Sequence, residues 1–124
     1  MKQIEQDIVN AVRNGAELHV GTSSSYVPTS DCYRDSLHFE KEKFVYKLWG
    51  NEIAKGNTCT KEITVSDCGY PTATTTSRLN AIFAGLDIPM AASIRKKTIV
   101  YFLNGKETIA ETIGTGEWTV HIKS

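Results

Sequence analysis

Six or seven short runs of β-branched and aromatic residues, most joined by two-residue turn signals, dictate a hairpin-built sheet. Thr98 to Leu103 is the strongest run, and Asn104-Gly105 after it is the best hairpin signal in the chain. Lys106 to Ile109 would return antiparallel. Phe44 to Trp49 is a second rich run, followed by Gly50-Asn51, read as a turn, and then by Glu52-Ile53-Ala54-Lys55, which closes at Gly56-Asn57. Glu17 to Val20 and the region from Ser36 to Phe39 add short candidates. In Glu62 to Ser66, Ile63 and Val65 share one face. Ala92 to Arg95 precedes a turn at Lys96-Lys97. After the break at Gly114-Thr115-Gly116, Trp118, Val120 and Ile122 alternate with polar residues in a final strand.

Two helical stripes interrupt the strands. Ile4, Ile8 and Val12 recur every four residues and predict a helix over about 2–14, capped by Gly15. Leu79, Ile82, Phe83 and Leu86 form an i, i+3, i+4, i+7 stripe, predicting a second helix of about ten residues. Pro89 forbids its continuation. Without a repeated βαβ rhythm or a linker, 124 residues make one α+β domain: an antiparallel sheet of about five to seven short strands with two helices packed on it.

Lys plus Arg and Asp plus Glu number 14 each. That balance argues against a general nucleic-acid binder, which carries a basic excess, and against a mimic of DNA charge. No apolar run is long enough for a transmembrane helix, so no membrane partner is expected. Glu5 and Asp7 stand where a signal peptide needs a basic start and an apolar block. A cytosolic protein is therefore expected, and three widely spaced cysteines, Cys32, Cys59 and Cys68, do not form a disulfide framework. Gly21 to Asp31, rich in Ser, Thr and Pro, reads as a long loop.

The central stretch, from Asp67 to Asn80, turns the chain from strand to helix through Gly69, Pro71 and a cluster of hydroxyls. Any of Thr74, Thr75, Thr76 or Ser77 can cap a helix, and four such residues exceed what one cap requires. With Arg78 as a charged fork and Tyr70 as a flanking ring, the helix start is a candidate anion site for a phosphate, a nucleotide or a nucleic-acid backbone. A capped helix with spare threonines facing solvent is the plainer alternative. Arg95, Lys96 and Lys97 form a small basic patch, with Lys106 across the hairpin and Tyr101-Phe102 nearby. Basic residues beside aromatics suit single strands, though hairpin tips are commonly charged.

Other chemistry is weakly marked. Cys32, Cys59, Cys68, His19, His38 and His121 form none of the close pairs that zinc sites use, so no metal and no cofactor is expected. Cys68, before a helix start, is a candidate thiolate without a nucleophile-type motif around it. Asp31, Asp35, Asp67 and Asp87 are isolated and next to turns, where Asp caps. No catalytic residue is assigned and an enzyme is not expected.

Trp49-Gly50-Asn51-Glu52-Ile53-Ala54, followed by Ile63 to Asn80, resembles a family of small bacteriophage proteins. Its pattern runs Gly-Asn-x-Ile-Ala, a strand, Cys-Gly-aromatic-x-Thr-x-Thr-Thr, then Arg-Leu-Asn opening a helix. An aromatic-Leu-Asn-Gly turn follows, here Phe102 to Gly105, and the likeness covers roughly residues 44–106. Tyr70 stands where the pattern has Trp. The resemblance implies a phage accessory protein outside the virion, working in the host bacterial cytoplasm, and no particular activity. By association, such a protein is expected to inhibit a host defence component, CRISPR–Cas being one example. A nucleotide or nucleic-acid binder using 74–78 is the alternative. A homodimer through an exposed edge at Trp118 to Ile122 is a further expectation.

Overall fold

A computed structural model describes residues 3–22 and 33–123. Helix α1 (Gln3–Asn14) buries Ile8, Val9, Ala11 and Val12, while Ile4, the first residue of the expected stripe, is only partly buried. Gly15 ends it in the left-handed region, and Ala16 N–H returns to the Ala11 carbonyl at 2.9 Å. β1 (Leu18–Thr22) then pairs antiparallel with β2 (Tyr33–Glu40). The expected loop over Gly21–Asp31 therefore yields its first two residues to β1. Its remainder and Cys32 lie outside the described residues.

β3 (Lys43–Leu48), β4 (Asn51–Asn57) and β5 (Glu62–Ser66) follow as antiparallel neighbours. Leu48 pairs with Asn51, so the turn between β3 and β4 is Trp49-Gly50, one residue earlier than the sequence suggested. Trp49 has φ 52° and Gly50 φ 80°, the pair of positive values that a type I′ hairpin turn needs. Gly50 supplies this freely; Trp49 does not, which makes its conformation costly. A β-bulge follows: Tyr46 faces Ala54 and Lys47 faces Glu52, leaving Ile53 unpaired and both Ile53 and Ala54 buried.

Helix α2 (Ala73–Gly85) begins six residues before the apolar stripe does. Thr72 is its N-cap, the side chain accepting from Thr75 N–H, so none of Thr74 to Ser77 caps the helix. The expectation failed because those four residues sit inside the first turns. Beyond α2, β6 (Met90–Arg95), β7 (Thr98–Leu103) and β8 (Lys106–Thr108) form a separate three-stranded sheet. The side chain of Asn80 accepts from Ala92 N–H at 2.6 Å and donates to the Ala92 carbonyl at 3.0 Å, and so completes the edge of β6 from α2.

β9 (Thr112–Thr115) and β10 (Trp118–Lys123) return to the main sheet, whose order is β1-β2-β3-β4-β5-β10-β9. β10 runs parallel to β5 and antiparallel to β9. The fold is therefore α+β as expected, but the sheet is mixed and divided in two. β10 is paired on both sides, which removes Trp118 to Ile122 as a free edge for a second copy. The chain reaches β5 from the far side through α2 and the small sheet, a crossover that hairpin-by-hairpin reading does not show.

The core lies between the seven-stranded sheet and the two helices. Phe44, Tyr46, Leu37, Ile63, Val65 and Val120 point from the strands towards Leu79, Ile82 and Phe83 of α2 and Ile8 of α1. Gly85 sets the approach of the helices: a Cβ there would lie 2.9 Å from Val12 Cβ. Among the described residues no helix is long and apolar enough to cross a membrane.

Candidate functional site: an aromatic-rimmed cavity on a buried ion-paired anchor

The type I′ turn at Trp49-Gly50 and the turn from Asp67 to Thr72 come together where α2 starts. Between them lies a cavity of about 460 Å³. Leu48 and Ile53 form its apolar part, and Asn51 and Asp67 its polar wall. Thr72, Thr74 and Thr75 line the helix side. The rings of Trp49 and Tyr70, also lining residues, are 56% and 58% exposed although both are large and apolar. Burial would gain about 25 cal/mol per Å² of apolar surface, so two large aromatic residues of one cavity left in water forgo a favourable term.

Local bonds fix the cavity wall. Asp67 Oδ1 accepts from Gly69 N–H at 2.8 Å, an Asx turn, and Tyr70 N–H closes on the Asp67 carbonyl at 2.8 Å. Thr75, 1% exposed, donates from Oγ1 to the Tyr70 carbonyl at 2.9 Å. The aromatic residue is thereby tied to the helix. Cys68 takes a positive φ of 52°, and its thiol donates to the Glu52 carbonyl at 2.9 Å, linking this turn to β4. The thiol is thus a structural donor, and the helix starts five residues later than Cys68, away from it.

Beneath the cavity α2 is anchored by charge. Asp35, fully buried on β2, accepts from Arg78 Nε at 2.7 Å and Nη2 at 3.4 Å, from the Tyr46 hydroxyl at 2.7 Å and from Arg34 Nε at 2.6 Å. Burial pushes its carboxyl pKa up, but the hydrogen bonds from Arg78, Tyr46 and Arg34 outweigh this and hold it below the usual carboxylate range. Burial foremost, then the Asp35 charge, pushes the Tyr46 phenol far up, so it stays protonated and donates. Asp35 is therefore no isolated turn residue. It lies on the same face as Leu37, inward, and its partner is 43 positions away in sequence.

The expected anion cluster is split by this arrangement. Tyr70, Thr74 and Thr75 reach the cavity. Thr76 is turned in and donates to the Ala73 carbonyl, and Ser77 Oγ accepts from Arg78 Nη1. Arg78, 5% exposed, spends its guanidinium on Asp35 and is withdrawn from the surface. Trp49, Asn51, Asp67 and Thr72 belong to the cavity and were not among the candidates. No local signal marked Trp49, because Gly50-Asn51 placed the turn one residue later and left Trp49 in the strand.

In the second candidate, the basic patch, Lys106 lies apart from Arg95, Lys96 and Lys97. Arg95 Nη1 pairs with Glu107 Oε2 at 2.9 Å and its guanidinium lies 5.8 Å from the Phe102 ring centre. Lys96 and Lys97 form the exposed β6–β7 turn, while Lys106 faces Leu103 at the opposite end of β7. Tyr101 is buried against Phe83, ring centres 6.5 Å apart. On the outer sheet face Glu17 bridges two histidines, 2.8 Å to His38 Nδ1 and 3.5 Å to His19 Nε2. His121 meets Thr112 at 3.2 Å. Among the described residues no group of three or more His, Cys, Asp or Glu is arranged to hold a metal ion.

Fold and site together define a small α+β protein with a surface cavity between two turns, built on an internal ion-paired anchor. The chain belongs to the Kyanoviridae Gp96 protein family, a bacteriophage family whose model matches residues 1–122. No curated protein and no solved structure matches it.

Proposed function

We propose that this phage protein is an accessory protein that acts by binding, and that it inhibits a host defence component in the host bacterial cytoplasm. Trp49 and Tyr70, both more than half exposed on the rim of one cavity, carry this reading. Tryptophan and tyrosine are the residues that most often dominate the energy of a protein contact. The cost of holding Trp49 at a positive φ, where Asn would be at ease, is explained if its ring is needed outside. A nucleotide at the start of α2 is less well supported, because no lysine or arginine lines the cavity among the described residues and Arg78 is bound to Asp35. The test is capture from host lysate with wild-type protein and with a Trp49→Ala/Tyr70→Ala variant, alongside phage infection of cells carrying and lacking the captured system. A stoichiometric defence protein, lost with the double variant, supports the reading. A retained nucleotide without a protein partner refutes it.

A further inference from the structure

Resting on the reading of this surface as a docking site, we infer that the group entering the cavity is an arginine side chain of the partner. Among the described lining residues, Asp67 alone carries a full charge, and it is negative. Among the described residues its Oδ1 takes one hydrogen bond, from Gly69 N–H, which leaves acceptor capacity on the carboxylate. Asn51 directs its amide nitrogen to the Trp49 carbonyl at 3.5 Å, so its side-chain oxygen is a second acceptor beside the same turn. On the helix side, Thr75 N–H goes to Thr72 Oγ1 and the Thr75 hydroxyl to the Tyr70 carbonyl. The start of α2 contributes roughly half a positive charge, less than the full negative charge on Asp67. The cavity therefore offers acceptors and negative charge, with two exposed aromatic residues in its lining. A guanidinium matches all three, since it only donates, stays charged, and stacks flat on aromatic rings. An ammonium would find the charge without the flat stacking, and a phosphate would meet the Asp67 carboxylate with no lysine or arginine among the described lining residues.

The probe is N-acetyl-arginine methylamide, titrated into the ¹⁵N-labelled full chain and followed by NMR at the Trp49 indole and the Asp67 to Tyr70 amides. The uncharged isostere N-acetyl-citrulline methylamide and adenosine monophosphate serve as comparisons. Saturable shifts confined to these signals are expected, with a dissociation constant on the order of millimolar and about tenfold weaker binding of citrulline. Asp67→Asn keeps an oxygen for Gly69 N–H, and so keeps the turn; it should weaken the arginine probe by about tenfold. Equal binding of arginine and citrulline, an unchanged affinity in Asp67→Asn, preference for the nucleotide, or no shifts with arginine would each overturn the inference. If a host protein is captured through Trp49 and Tyr70 while arginine does not bind, only the assignment of the side chain falls. If arginine binds and no host protein is captured, the inhibitor reading falls and the cavity assignment stands.

Discussion

Removing the carboxylate of Asp35 should cost more stability than any other single polar change in the core. In Asp35→Ala the Arg78 guanidinium, 5% exposed, and the Tyr46 hydroxyl, fully buried, lose their acceptor together. An uncompensated buried charge costs about 3–5 kcal/mol, and a stranded hydroxyl about 1–3 kcal/mol. The combined loss of about 4–8 kcal/mol approaches the whole stability of a domain of this size. Arg78→Ala leaves Asp35 with Tyr46 and Arg34 as donors and should cost about 3 kcal/mol. Tyr46→Phe removes one neutral donor and should cost about 1–2 kcal/mol. Urea unfolding at neutral pH measures the series, and Asp35→Asn, which keeps one acceptor, replaces Asp35→Ala should the latter not fold. The acid limb supplies an independent check. The folded-state pKa of Asp35 is depressed, so its contribution is present above the ordinary carboxylate value of about 4 and is lost as pH falls through the folded value. Wild-type stability should therefore drop below about pH 4, and Asp35→Asn should drop less steeply. A loss under about 2 kcal/mol for Asp35→Ala, or a larger loss for Tyr46→Phe, would refute the view that this cluster anchors α2.

Other substitutions probe separate parts of the structure. Gly85→Ala forces a Cβ against Val12 and should destabilise by about 1–3 kcal/mol, read as a lowered urea midpoint. Thr72→Ala removes the cap of α2 and should cost about 1 kcal/mol in the same assay, whereas Ser77→Ala, away from the cap, should cost clearly less. Trp49→Asn gives the β3–β4 turn its preferred Asn-Gly pair, so the melting temperature should stay near that of wild type while partner capture is lost; a collapse of the fold would show that the ring is structural.

Local patterns were legible because they are written in neighbouring residues. The period of Ile4, Ile8 and Val12 specified α1, and Asn104-Gly105 and Lys96-Lys97 marked their turns. Alternation in Glu62 to Ser66 put Ile63 and Val65 in the core. Where two local signals competed, reading failed by a residue or a turn. Gly50-Asn51 masked the true Trp49-Gly50 turn because a bulge at Ile53 shifts the register. The hydroxyl run after Pro71 masked the start of α2 because threonines were read as caps while their side chains bond back into the first turns.

Periodicity and turn chemistry act over a few residues, so the α+β class, the two helices and the hairpins follow from neighbouring residues alone. Long-range packing is what sets β10 beside β5, brings Asp35 to Arg78, and puts Trp49 and Tyr70 in the lining of one cavity. Each of these joins positions far apart in the chain. Their partners are chosen by burial, which makes a lone carboxylate in the core intolerable without a distant guanidinium, and by the path of the backbone that delivers it.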